Sequence, residues 1–190
     1  MTAIEQLFGR RTVLVASTLD DETASRVAAE LMTLDALGDD PIDLWINCSG
    51  GTIEGALAVM DVVDLVGVAV HATCLGRADG LAVGVLAVAH QRAAAPHSRV
   101  RFDSPSSSLA GRVSDVVRAA EELARATRDF CARVAQASGQ SHEWVEDAVR
   151  AHRTFEPVEA LRAGLIDEIA APRAASVSTL FPNRRRSSGV

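Results

Sequence analysis

"IDLWINCSGGTIEGALAVMDVVDLV", residues 42–66, decides the fold. Its first part, Ile42–Cys48, is a short apolar run of the kind that fills a buried strand. Ser49-Gly50-Gly51-Thr52 breaks that run with turn chemistry. Ile53, Leu57, Met60, Val63 and Val66 then recur at helical spacing, which gives a helix with one apolar face. The next stretch repeats the pattern. "VAVHATCLG" (68–76) reads as a strand, Arg77–Gly80 as a small-residue turn, and an apolar helix begins at about Leu81. Strands that alternate with helices imply a mostly parallel sheet with crossover helices.

Both flanks agree. On the amino-terminal side, "RTVLVAS" (11–17) is a β-branched run and a predicted strand. Asp20 or Asp21 can cap the helix after it, in which Ala24, Val27, Ala28, Leu31 and Leu34 share one face. On the carboxyl-terminal side, "SRVRFDSP" (98–105) is a further strand that ends at a proline, and "SSSLAG" (106–111) is an edge or flexible segment. A long helix follows, with Val113, Val116, Ala120, Leu123, Ala124, Thr127, Cys131 and Val134 as its apolar stripe and Gly139 as its stop. Ser141 can cap a short helix through Arg150, Glu156-Pro157 opens another, Gly164 ends it, and "LIDEIA" is a last short strand. The expected organisation is one domain over residues 1–171 and an Arg-rich, disordered tail over 172–190.

Bulk composition narrows the chemistry. Hydrophobic residues make up 48% of the 190, but aromatics only 4%, so the core must pack Ala, Val and Leu, small against small. The net charge of −6 argues against nonspecific nucleic-acid binding. All 19 basic residues are arginine, which excludes a Schiff-base lysine and a phosphate-loop lysine. Cys48, Cys74 and Cys131 lie far apart with no C-x-x-C, so no zinc site or disulfide framework is indicated, and reduced thiols in the cytoplasm are expected. No apolar run is long enough for a bilayer and the first residues form no signal core. No cofactor and no metal is expected.

Two glycine turns, Gly50-Gly51 and Gly76–Gly80, sit at the carboxyl ends of consecutive predicted strands, the edge where ligands bind in open α/β sheets. Backbone N–H groups of two such turns can converge on one oxygen, and Gly51 and Leu81 are the candidate donors. Both turns also read simply as tight connections. Asp103, at a third strand end, is a candidate acid or base or else a turn residue. His152, just past a helix, reads by itself as a solvated helix-end histidine, and Asp79 as the cap of the helix that begins near Leu81.

Taken together, these segments resemble the proteolytic subunit of the Clp protease, a serine peptidase family, from about Arg10 to Ala170. "LWINCSGGTIEGALAVMD" is similar to its strand, Gly-Gly turn and helix, and "TCLGRADGLAVG" to its nucleophile segment. "PHSRVRFDSP" is similar to the segment of its catalytic histidine, "EALRAGLIDEI" to its closing helix and strand, and about 104–139 to the handle that interlocks two rings. The resemblance implies the Clp protease/crotonase-type α/β fold with a long handle helix, a heptameric ring, and stacked rings built from this chain, from active paralogues, or from both. It places the family's nucleophilic serine on Gly80, its general-base histidine on Asp103 and its orienting aspartate on His152. All three triad positions are therefore replaced, while the oxyanion donors fall on Gly51 and Leu81, whose role as backbone N–H donors needs no particular side chain. An ATP-driven unfoldase is a further partner the resemblance implies. Only some ten residues precede the first predicted strand, where family members carry the pore-lining hairpin that contacts it, so that partner is the weaker expectation.

The expected function is a catalytically inactive ring subunit with a structural or regulatory role. One alternative is an active peptidase with an atypical site, its hydroxyl drawn from Ser104, Ser106, Ser107 or Ser108. Another is a small crotonase-like acyl-CoA enzyme with Asp79 or Asp103 as base, for which the chain is short.

Overall fold

The computed structural model describes residues 2–105 and 111–171. The segment 106–110 and the tail from Pro172, with the expectations made for them, lie outside the described residues. The chain runs α1 (Ala3–Phe8), β1 (Thr12–Val15), α2 (Asp21–Leu37), β2 (Ile42–Cys48), α3 (Ile53–Leu65), β3 (Val70–Asp79), α4 (Ala82–Ala87), β4 (Gln91–Ala94), β5 (Arg99–Arg101), α5 (Val113–Ser138), α6 (His142–Arg150), β6 (Thr154–Phe155), α7 (Pro157–Arg162) and β7 (Glu168–Ile169). The sheet order is β1-β2-β3-β4-β7, with β5 attached to β3 and β6 to β5. Every pairing is parallel except β5 with β6, so the architecture is mixed α/β with a mostly parallel sheet.

Local chemistry explains the elements. Asp20 caps α2 by accepting from the Thr23 amide at 2.9 Å, Thr52 caps α3 by accepting from Gly55 at 3.1 Å, and Ser141 caps α6 by accepting from Trp144 at 3.1 Å. Gly139 closes α5 in the left-handed conformation. Ala24, Val27, Leu31 and Leu34 of α2, with Ile53, Ala56, Val59, Met60 and Val63 of α3, form the core against one sheet face. On that face lie Ile42, Leu44 and Ile46 of β2 and Val70, Ala72 and Cys74 of β3, all buried, so each strand alternates in burial. Helix α4 is buried on every side. It admits α5 because Gly84 has no side chain: a Cβ there would lie 2.3 Å from the Phe130 ring. Only Phe130, Cys131, Val134 and Ala135 of α5 are buried, and its first half leaves Val113 81% and Val117 51% exposed.

Three readings of the sequence need correction. The turn placed at Arg77–Gly80 is mostly strand. β3 pairs with β4 through His71–Cys74, then bends and pairs with β5 through Arg77–Asp79. Its register on β2 shifts between Ile46 opposite Cys74 and Cys48 opposite Ala78, so β3 carries a bulge around Gly76. That glycine marks the bulge rather than the end of the strand. Asp79 does not cap α4; its side chain is buried, and Leu81 precedes the helix with no side-chain cap. Two short strands, β4 and β6, and the first helix α1 escaped the sequence reading. β4 lies in a stretch whose alanines carry little strand preference, and its pairing with β3 and β7 supplies the order that propensity does not. α1 is set by a capping box between Thr2 and Glu5.

Candidate functional site

The carboxyl ends of β2, β3 and β5 meet at one edge of the sheet, as parallel topology requires. The Ser49–Gly51 turn, Gly80 with Leu81, and Asp103–Pro105 line a cavity of about 290 Å³ there. The Gly50–Gly51 turn is held from below. Gly50 takes a φ of +118°, and its carbonyl accepts from the Leu19 amide at 2.8 Å and from the Cys48 thiol at 3.1 Å. Gly51 lies against the Leu19 backbone so closely that a Cβ would sit 2.2 Å from the Leu19 carbonyl oxygen. Gly80 takes a φ of +57° and donates from its amide to the Arg101 carbonyl at 2.7 Å. A side chain on Gly80 would emerge into the cavity, its Cβ 3.6 Å from Asp103 Cβ and 3.6 Å from Gly50 Cα. The amides of Gly51 and Leu81 donate no hydrogen bond among the described residues.

Asp103 and His152 are brought together from 49 positions apart, with His152 Nδ1 2.8 Å from Asp103 Oδ1. The reason lies behind them. The Phe102 amide donates to the Arg153 carbonyl at 2.9 Å, and the Phe102 ring meets Trp144 and Phe155 edge-on at 6.2 and 6.0 Å. Phe102 and Arg153 are thus pinned, and their neighbours Asp103 and His152 emerge side by side. His152 itself takes a φ of +49°, and its side chain is 58% exposed against 29% for Asp103. Asp103 Oδ2 is held by Arg101 Nη2. Sequence reasoning missed Arg101; its signal was the two-residue spacing to Asp103, which places both on one face of an extended segment.

The groups at hand limit the chemistry. A carboxylate–imidazole pair can take up and release a proton, but position 80 offers nothing to activate. The thiols do not stand in. Burial pushes Cys48 and Cys74 above the ordinary thiol range and Cys131 up to about 11, so all three stay protonated near neutrality. Ser49 and Ser104 put hydroxyls near the cavity, but Ser49 Oγ lies 3.4 Å from Thr18 Oγ1 and Ser104 Oγ donates to the Val149 carbonyl at 3.5 Å. Neither is bonded to Asp103 or His152. Ser106, Ser107 and Ser108 lie outside the described residues. Asp79, 2% exposed, faces Arg99 at 3.5 Å and Arg77 at 3.9 Å and is absent from the cavity lining. No cluster of His, Cys, Asp and Glu fit to hold a metal ion occurs among the described residues, nor any helix long and apolar enough to cross a membrane.

A larger depression of about 670 Å³ lies at the opposite end of the strands, bordered by α3, α5, β4 and β7. Four of its charged groups pair: Arg92 with Asp167, and Arg133 with Asp64. It holds no nucleophile, and size alone does not make it the site.

The family model for Clp protease matches residues 1–173. The chain is 34% identical to "ATP-dependent Clp protease proteolytic subunit 1" of Nocardia farcinica, over 88% of this chain and 86% of that protein. It is 32% identical to proteolytic subunit 3 of Streptomyces avermitilis, over 86% and 76%. It is 31% identical to proteolytic subunit 2 of Thermobifida fusca, over 87% and 83%. With nearly its whole length accounted for in this way, the chain belongs to the Clp protease family.

Proposed function

We propose that this chain is a catalytically inactive subunit of a Clp-type peptidase assembly, with a structural or regulatory role. One observation carries the reading. At the strand-to-helix junction, where a side chain would point between Gly50 and Asp103 into the cavity, the residue is Gly80. Acyl transfer by a triad needs a nucleophile, a base that takes its proton and a group that orients the base. Gly80, Asp103 and His152 supply at most the last two, with the imidazole and carboxylate in exchanged places. The backbone half of the machinery fits better, because the amides of Gly51 and Leu81 are both free to donate into the cavity. Without a nucleophile such a site retains roughly 10³–10⁴-fold over water, from its oxyanion donors and binding alone.

The ring role rests on α5. Its first half leaves Val113 and Val117 exposed, apolar surface that a contact with another subunit would cover. The relatives are named as subunits, and the ring partner is a second copy, an active paralogue, or both. The cytoplasm is the compartment that suits its buried free thiols.

The test compares peptide hydrolysis by the natural protein with that of the triple variant Gly80→Ser, Asp103→His, His152→Asp. We expect no turnover by the natural protein and measurable turnover by the variant. Turnover by the natural protein, lost in Ser104→Ala, would overturn the reading in favour of a peptidase with an atypical site. A protein that elutes as a monomer alone and with every paralogue would remove the ring role.

A further inference from the structure

We infer that Arg101 is a fourth residue of the silenced site: a positioning residue that engages the Asp103 carboxylate and opposes an imidazole base at that position. This rests on the reading of position 103 as the base position. Strands β3 and β5 set Arg77 opposite Arg99 and Asp79 opposite Arg101, so these four residues share one face of a two-stranded ribbon, and Asp103 continues the same face. That face carries three guanidinium groups and two carboxylates. Asp79 is the common partner of Arg77 and Arg99, at 3.9 and 3.5 Å, and both contacts are long. Arg101 turns away from it to Asp103. Its Nε is buried with no partner among the described residues, as is Asp79 Oδ1. Arg101 thus depends on Asp103 for its charge partner, and Asp103 binds Arg101 through one oxygen and His152 through the other.

An imidazole at position 103 would break this balance. Arg101 would lose its one close carboxylate, and the remaining one, Asp79, is already shared by two arginines. An imidazole base at position 103 must become a cation in the transition state, beside a guanidinium that is 40% exposed and only partly screened. The charge network therefore opposes the general-base step, in addition to the loss of the nucleophile.

Two measurements test this. The first compares the triple variant of the preceding section with the same variant carrying Arg101→Met or Arg101→Lys. We expect Arg101→Met to raise kcat/KM by about tenfold or more, through kcat rather than KM, and Arg101→Lys to give no gain because the charge remains. Equal, measurable rates in all three would overturn the proposal. The second needs no activity: thermal melts of Asp103→His in the natural background and in the Arg101→Met background, at pH 6 and at low and high salt. We expect Asp103→His to lower Tm by about 3 °C more with arginine at position 101 than with methionine, and the excess to shrink in high salt. Additive effects of the two substitutions would overturn the proposal. If no variant turns over peptide but the melts are coupled, the expected competence of the scaffold fails and Arg101 keeps its role.

Discussion

Gly51 and Gly80 sit on the two turns that face each other across the cavity, and they are glycine for opposite reasons. At Gly51 there is no room: the Leu19 carbonyl oxygen would lie 2.2 Å from a Cβ, backbone against backbone. At Gly80 there is room, since the nearest atoms would lie 3.6 Å away, at ordinary contact distance. Only its φ of +57° disfavours a side chain. Packing therefore demands the first glycine, whereas the second leaves a position that steric considerations would let another residue fill. An oxyanion turn and a nucleophile position differ in the same way: one works through its backbone, the other only through a side chain.

The largest expected effect breaks the first turn. Gly51→Ala must displace the Leu19 backbone and the bridge between the two, at about 3 kcal/mol, so Tm should fall by roughly 6–12 °C. A fall of no more than a degree or two would show that the close approach relaxes freely. Gly80→Ala sharpens the contrast. The left-handed cost of about 1–2 kcal/mol is partly offset by the lower entropy of the unfolded chain, leaving a Tm loss of roughly 2–4 °C. If Gly80→Ala were as damaging as Gly51→Ala, the distinction between the turns would collapse.

The Asp103–His152 contact bordering the second turn is the next smallest. His152 is more than half exposed and Asp103 only partly buried, so a double-mutant cycle with Asp103→Ala and His152→Ala should give a coupling below about 1 kcal/mol that falls in high salt. A larger, salt-insensitive coupling would mean a buried structural pair. Asp167 serves as a control remote from both turns. Its hydrogen bonds from Arg92 hold the carboxyl below the usual range, against a smaller opposing effect of burial. A depressed carboxylate adds stability above the unfolded value of about 4, and that stability is lost as pH falls through the folded value. Melts of the natural protein and Asp167→Asn should therefore differ at pH 7 and converge toward pH 3. Curves that stay parallel would exclude the linkage.

Much of this was legible in the residues. The caps at Asp20 and Ser141 and the stop at Gly139 follow from side-chain and backbone chemistry that acts within a few positions. The apolar faces of α2 and α3 follow from helical period alone. Gly76 misled the reading, because a bulge and a turn both call for a residue without a side chain, and only the switch from β4 to β5 tells them apart. Asp79 misled it for a similar reason. An aspartate just ahead of a helix usually caps it, but here the strand continues and turns the carboxylate toward the Arg77–Arg99 side.

The sequence by itself determined that the chain alternates strands and helices, that two glycine turns follow successive strands, and that position 80 has no side chain. These are properties of period, composition and identity, written locally. Only the tertiary structure decided that Asp103 touches His152 and that Gly51 is wedged against Leu19. Each of these joins residues distant in the chain or opposed across a bend, through the aromatic packing of Phe102 with Trp144 and Phe155 and the bulge in β3. Distances of that kind are set by how whole elements pack, and no run of neighbouring residues encodes them.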